Sequence, residues 1–233
     1  MTKGPPRGAS SFLRTMERLT PEQLKREQEK TLASPRMRYG LLSRILFFAM
    51  DLLYGRRRTL SKFKVLEVIA RVPYQSWEHV AYIAITHTHA YPDFARRVFD
   101  RIKESRLQQD NEQWHLLILE ELTDKKGMHE KFVWYRLIPQ VIAFVYYHIS
   151  WLLYVIRPAW SYLMNAHFED HAEHEYMAYV AANPALEREP FESMFADDYG
   201  KFASLADLFR QIGYDERVHK EESLARIAAA RFH

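Results

Sequence analysis

Two Glu-x-x-His units, far apart in the chain, constrain this sequence more than any other feature. The first is Asn111-Glu112-Gln113-Trp114-His115 and the second is Asp215-Glu216-Arg217-Val218-His219. Each lies in a stretch that reads as a long helix. Residues three apart share a helical face, so each Glu and its His aim at one spot. Two such units facing each other, completed by one carboxylate from each of two further helices, hold a pair of iron or manganese ions inside a four-helix bundle. The completing carboxylates are expected to be Glu67 and Glu169. Glu67 interrupts the apolar run Val65-Leu66-Glu67-Val68-Ile69-Ala70, and Glu169 sits in an aromatic-rich stretch. An unpaired carboxylate is costly to bury in either setting.

A Glu-x-x-His unit arises by chance on the order of once in a chain of this composition, so the bland alternative is a pair of solvated helix faces. Other features favour metal. Asn111 and Asp215, immediately before each Glu, can hydrogen-bond to ligands from behind. Four carboxylates offset two divalent cations, leaving a nearly neutral cluster fit for burial. Oxygen-rich ligation with two imidazoles suits iron or manganese. The chain has no cysteine, which excludes disulfides, thiolate zinc sites, iron–sulfur clusters and cysteine nucleophiles together. Tyr176, seven residues after Glu169, is two turns on along the same face and can give an electron and a proton near the metals; its alternative reading is a packing tyrosine. His171 and His174 read as surface or supporting residues. His87 and His89, in Thr86-His87-Thr88-His89, fall on opposite helical sides and read as loop.

The chain of 233 residues has seven glycines and little alternating polarity, which points to an all-α fold in place of a sheet. The net charge of +3 predicts no nucleic-acid partner, but local basic runs suit anionic lipid. Residues 1–36 read as a mobile basic N-terminal arm with a short solvated helix, opened by Thr20-Pro21-Glu22-Gln23 as a capped start. Residues 37–233 read as the metal-binding domain. Leu41 to Tyr54 is almost wholly apolar and is followed by five basic residues within Gly55–Lys64. That order suits an amphipathic helix lying in one membrane leaflet; a core helix with a solvated turn is the plainer reading. Thr59 to about Ile85 is the first bundle helix, bent at Pro73. Asp93 to Leu122 is the second. Twenty uncharged residues between Arg136 and Arg157 are long enough to span a bilayer. Spanning would put Glu112 and Glu169 on opposite sides, so this helix is expected half in protein and half against lipid. Pro158 breaks it, and Ala159–Ala182 follows. Asn183–Lys201 reads as a polar loop, and Ala203–Ala229 as the last helix. On residues alone the alternatives include a hydroxylase, a ferroxidase, a manganese catalase and a non-enzymatic helical membrane scaffold.

From about Asp51 to about Leu224 the chain resembles the alternative oxidase family of membrane-bound di-iron quinol oxidases. Four motifs in order carry the likeness: Leu66-Glu67 with Ile69-Ala70-Arg71-Val72-Pro73-Tyr74; Asn111-Glu112-Gln113-Trp114-His115-Leu116; Glu169-Asp170-His171-Ala172 with Tyr176; and Asp215-Glu216-Arg217-Val218-His219. Asp51-Leu52-Leu53-Tyr54, Glu120-Glu121-Leu122 and His171 are similar to the plastid terminal oxidase branch, which oxidises plastoquinol. The resemblance implies a ferritin-like di-iron four-helix bundle with additional membrane-contacting helices, six in all, monotopic on a bacterial inner, thylakoid-type or organellar membrane. It implies two iron ions per subunit, bound by Glu67, Glu112, His115, Glu169, Glu216 and His219, with Tyr176 nearby and Leu66 and Arg71 at the quinol pocket. Plastoquinol or ubiquinol would be oxidised and O2 reduced to water without proton pumping, by a homodimer. The chain departs from the family in a longer Glu67–Glu112 interval, a shorter Glu169–Glu216 interval, and Gly213 where the family usually has arginine.

Overall fold

The computed structural model describes residues 17–232, and among these every regular element is helical. The helices are α1 (Pro21–Ala33), α2 (Leu41–Tyr54), α3 (Leu60–Ala70), α4 (Val72–Ile85), α5 (Pro92–Lys125), α6 (Ile138–Ile156), α7 (Pro158–Ala182), the single turn α8 (Ala196–Tyr199) and α9 (Leu205–Ile227). A π-helical turn, Val133–Leu137, leads into α6. The all-α expectation is borne out.

Local chemistry sets the boundaries. Thr59 Oγ1 accepts from Lys62 N at 3.2 Å to open α3, and Ser204 Oγ accepts from Asp207 N at 3.2 Å to open α9; each side chain satisfies a backbone donor that the helix start leaves free. Proline opens α1, α5 and α7, where its missing N–H costs nothing. Gly127, at φ 61°, ends α5, and Met128 N donates back to Thr123 O at 3.0 Å. The bend foreseen at Pro73 is present as the break at Arg71 between α3 and α4.

The bundle proper consists of α3–α4, α5, α7 and α9, with α7 and α9 paired most extensively. One continuous core joins α3, α5, α7 and α9 through Phe63, Leu66, Ile69, Ile118, Leu119, Phe168, Phe209 and Ile212. α6 lies across α4 and α7. It buries Pro139, Ala143, Tyr146, Ser150 and Tyr154, a stripe at helical spacing. Val141, Phe144, Val145, Leu152 and Ile156, on its other side, are exposed. α2 rests on α7 and buries only Ser43 and Met50, leaving Leu41, Leu42, Ile45, Phe48 and Leu52 outward. With its π-helical lead-in, α6 is the one helix among the described residues long and apolar enough to cross a membrane.

The N-terminal side differs from expectation. The arm over residues 1–16 lies outside the described residues. From Glu17 onward, however, the chain is docked. Leu19 N donates to Gln211 Oε1 at 3.1 Å. α1 has the foreseen capping box, but it is not a solvated helix. Leu24, Gln28 and Thr31 are buried. Arg217 reaches Glu27 and Thr31, and Gln28 Nε2 donates to Met177 O at 2.9 Å. Glu27 pairs with Arg217 on α9 and Thr31 Oγ1 donates to Glu173 on α7 at 2.6 Å, while Lys25, Arg26, Glu29 and Lys30 stay exposed. The stretch 183–201 also holds more order than a polar loop, since it contains a 3₁₀ turn, α8 and the buried Tyr199.

Candidate metal centre

The six residues singled out as ligands come together from four helices: Glu67 from α3, Glu112 and His115 from α5, Glu169 from α7, and Glu216 and His219 from α9. All six are 0% exposed. They form two groups, Glu67–Glu112–His115–Glu216 and Glu112–Glu169–Glu216–His219, in each of which the four potential ligand atoms lie within 4.8 Å of one another. Glu112 and Glu216 belong to both groups.

Their hydrogen bonding divides the carboxylates into two kinds. Both oxygens of Glu112 and both of Glu216 lack a hydrogen-bond partner, although buried. Each is therefore free to face two cations at once. Glu67 accepts from the Tyr176 hydroxyl through Oε1, and Glu169 accepts from Tyr74 Oη through Oε1 at 2.6 Å. In these two only Oε2 is left without a partner. His115 turns Nδ1 to the cluster, 3.3 Å from Glu216 Oε1 and 3.4 Å from Glu67 Oε2. Its Nε2 faces Asp215 Oδ2 at 3.4 Å. His219 Nδ1 is 2.6 Å from Glu112 Oε1, but the angles are not those of a hydrogen bond and both ring nitrogens remain unpartnered.

Nine buried, unpartnered atoms on six converging residues are a steep cost for a fold to carry. Electrostatics shows the same tension. Burial, then the charge of Glu216, pushes the Glu67 carboxyl well above the ordinary range. Burial, then Glu216 and Glu112, does the same to Glu169. Burial also works to raise Glu112, but His219 and His115 outweigh it and hold this carboxyl below its usual value. Burial works to lower both imidazoles; Tyr199 and Asp215 chiefly hold His115 high, and Glu112 holds His219 high. Two divalent cations would answer the repelling carboxylates and one ring nitrogen of each imidazole. The donor set fits such a pair.

A model of the alternative oxidase family matches residues 15–225. The chain belongs to the alternative oxidase family. The resemblance drawn from the four motifs is thereby borne out. The family is a di-iron one, and the buried Glu/His groups supply the donors that centre requires. A curated relative, ubiquinol oxidase 4, chloroplastic/chromoplastic, of Arabidopsis thaliana, is 33% identical over 161 residues. The match takes in 69% of this alternative oxidase chain and 41% of that relative, so the chain spans about two fifths of the relative's length.

Around the centre, Asp215 is held by Gln211 Nε2 at 2.8 Å, Tyr199 Oη at 2.8 Å and Asn111 Nδ2 at 3.2 Å. Asn111 and Asp215 thus converge on the His115 side; neither attends His219. Tyr176 is fully buried and stacks on Phe63 with centroids 4.3 Å apart. Leu66 is buried in the core next to Glu67, and Arg71, half-buried at the α3–α4 break, donates to Gln113 Oε1. His171 stacks on Phe47 at 4.1 Å and His174 Nδ1 pairs with Asp170 O at 2.7 Å; neither joins the six. Asp170, Glu173 and His174 come close enough to suggest a further cation site. Lys220 already sits on both acids, however, and Arg217 Nε donates to Glu173 at 2.9 Å. His87 and His89 lie exposed in the α4–α5 connection.

Sequence reasoning missed Tyr74, Asn165, Tyr199, Gln211 and Arg18. Tyr74 had a signal: it follows Glu67 by seven residues, the interval that separates Glu169 from Tyr176. Gln211 had one too, since it precedes Asp215 by four residues on α9; Asn165, Tyr199 and Arg18 act across elements and leave no periodic trace.

Proposed function

We propose that this chain is a quinol oxidase working at a membrane surface, oxidising two quinols for each O2 reduced to two waters, without pumping protons. The observation that carries the reading is the sharing of Glu112 and Glu216 between two four-residue groups, which suits a cation pair and not a single ion. Glu67, Glu112, His115, Glu169, Glu216 and His219 are the proposed ligands. Two iron ions held there would accept electrons from quinol and deliver them to oxygen.

The chain's own residues serve that task in several ways. Asp215 takes the Nε2 side of His115, so Nδ1 is the atom left to ligate. Tyr176 holds its phenolic proton at neutral pH, because burial, then the charges of Glu67 and Glu216, pushes its pKa far above the ordinary value. Its hydroxyl already points at Glu67, so a proton leaving Tyr176 Oη has Glu67 Oε1 to receive it; Tyr176 is the proposed catalytic tyrosine. Phe63, Leu66, Phe168 and Phe209 keep water from the cluster. Leu66, beside Glu67, and Arg71 are proposed for contact with quinol.

The outward apolar faces of α2 and α6 support attachment to one leaflet, with Arg56 and Arg57 at lipid phosphates. The organelle or bacterial membrane and the quinone, plastoquinol or ubiquinol, belong to the same proposal. So does a homodimer, for which exposed Tyr82, Ile83, Tyr91, Phe99 and Leu107 offer a surface on α4, α5 and their connection.

Oxygen uptake by protein in liposomes, with plastoquinol and ubiquinol analogues side by side, tests the reading. Cyanide-resistant uptake that yields water and is lost in Glu112→Ala is expected, with membrane attachment unchanged. A hydroxylated product, or undiminished uptake in Glu112→Ala, would refute it.

A further inference from the structure

The centre has an approximate internal twofold pattern that the four motifs do not announce. Tyr176 follows Glu169 by seven residues and bonds to Glu67; Tyr74 follows Glu67 by seven residues and bonds to Glu169. Each half lends a phenol to the other half's carboxylate. The two phenols are not equivalent. Tyr176 stacks on Phe63 at 4.3 Å and has Phe209 near-parallel to it at 6.2 Å. The Tyr74 oxygen also accepts from Asn165 Nδ2 at 2.9 Å, and that amide is braced by Ser223 Oγ at 3.1 Å. The Tyr74 ring is 0% exposed and stands edge-on to Trp77 at 5.1 Å and to His219 at 5.6 Å.

A tyrosine so tightly fixed decides how its carboxylate can be used. With Oε1 of Glu169 tied to Tyr74, only Oε2 remains without a partner. We propose that Tyr74 is a positioning residue of the centre: together with Asn165 it holds Glu169 as a one-oxygen ligand on the His219 side, as Tyr176 holds Glu67 on the His115 side. The proposal rests on the two-metal reading above. Tyr74 does not touch substrate in this role. It presets the Glu169 rotamer, so that the ligand need not be ordered when a cation enters. Loss of such supporting bonds characteristically weakens metal binding about tenfold or more.

Anaerobic titration of the metal-free, detergent-solubilised full chain with Mn(II) tests this without recourse to turnover. In wild type, two equivalents bind. Tyr74→Phe is expected to raise the dissociation constant of one equivalent about tenfold and leave the other within about threefold. Two backgrounds assign the effect. In Glu67→Gln, where the His219-side group is intact, Tyr74→Phe weakens the remaining ion. In Glu169→Gln, where that group is broken, Tyr74→Phe changes nothing further. A purely structural role predicts equal weakening in both backgrounds and a lower unfolding midpoint of the metal-free protein; that result, or unchanged binding in Glu67→Gln, overturns the assignment. A wild-type chain that binds no Mn(II) or Fe(II) overturns the two-metal reading itself, which a defect confined to Tyr74→Phe cannot do.

Discussion

Replacing Glu169 by glutamine separates what this carboxyl does for folding from what it does for metal. Burial and the charges of Glu216 and Glu112 push Glu169 well above the ordinary carboxylate range, a direction that favours the protonated form in the metal-free protein. Glutamine is nearly the same shape as a protonated glutamate and keeps the oxygen that accepts from Tyr74. The metal-free Glu169→Gln protein should therefore match wild type within about 1 kcal/mol, the worth of one ordinary hydrogen bond. With metal the two should part. Each cation at a hundredfold excess over its dissociation constant stabilises the fold by about 2.7 kcal/mol, which for a chain of this length raises the unfolding midpoint by on the order of 5–10 °C. Glu169 belongs to one four-residue group and Glu112 to both. Calorimetry with and without Mn(II) should show the metal-induced rise roughly halved in Glu169→Gln and nearly abolished in Glu112→Gln. Equal rises in wild type and Glu169→Gln would refute the reasoning. So would a metal-free Glu169→Gln protein that melts more than about 10 °C low, since that would mean the carboxyl is ionised and supports the fold by itself.

Other expectations follow from the packing. A Cβ at Gly213 would stand 3.0 Å from Met177 Cε and 3.2 Å from Tyr176 Cβ, so Gly213→Ala should crowd α9 off α7. Overpacking, less the gain in helix propensity, leaves a loss of about 1 kcal/mol, measurable by urea unfolding; a stabilised Gly213→Ala would contradict it. Phe48→Glu with Leu52→Glu, on the outward face of α2, should lower co-sedimentation with anionic liposomes several-fold while metal content stays at the wild-type level. Arg36 and Arg58 both pair with Glu175. Although burial acts to raise this carboxyl, Arg36, His171 and Arg58 bring it below its usual value. Stability from that shift is fully present above the ordinary glutamate pKa and disappears as pH falls through the lower folded value. Arg36→Gln should thus cost about 1 kcal/mol at pH 7, with the difference from wild type closing as the solution is acidified below about pH 4.

The convergence of the candidate ligands was legible because carboxylates in apolar helices have few innocent explanations. Glu67 amid Val65, Leu66, Val68 and Ile69 nearly announces a partner, and the i, i+3 spacing of Glu112 with His115 and Glu216 with His219 gives the aim. The bend before α4 was legible for a similarly local reason, the missing N–H of Pro73. What stayed hidden depends on pairing between distant elements. α1 looked solvated because Glu27, Gln28 and Thr31 are polar, and nothing local reveals that Arg217, Met177 O and Glu173 await them. Tyr199 lies in a stretch without periodicity, so its approach to Asp215 could not be foreseen. Gly213 read as a departure from the family pattern, and the reason for it, a close helix crossing against Met177 and Tyr176, exists only in three dimensions.

The stretch just before α1 gives the molecule an unexpected asymmetry between sequence and chemistry. Arg18 lays its guanidinium 4.1 Å above the Tyr199 ring and brings Nη1 to 3.4 Å from Asp215 Oδ2, while Glu17 O accepts from Gln211 at 3.0 Å. A side chain roughly two hundred positions away along the polymer, and open to solvent on one flank, is thus separated from the imidazole of His115, a proposed metal ligand, by a single carboxylate. Removing Arg18 itself would reach the proposed metal site through Asp215 and His115, from a residue that no ligand motif includes.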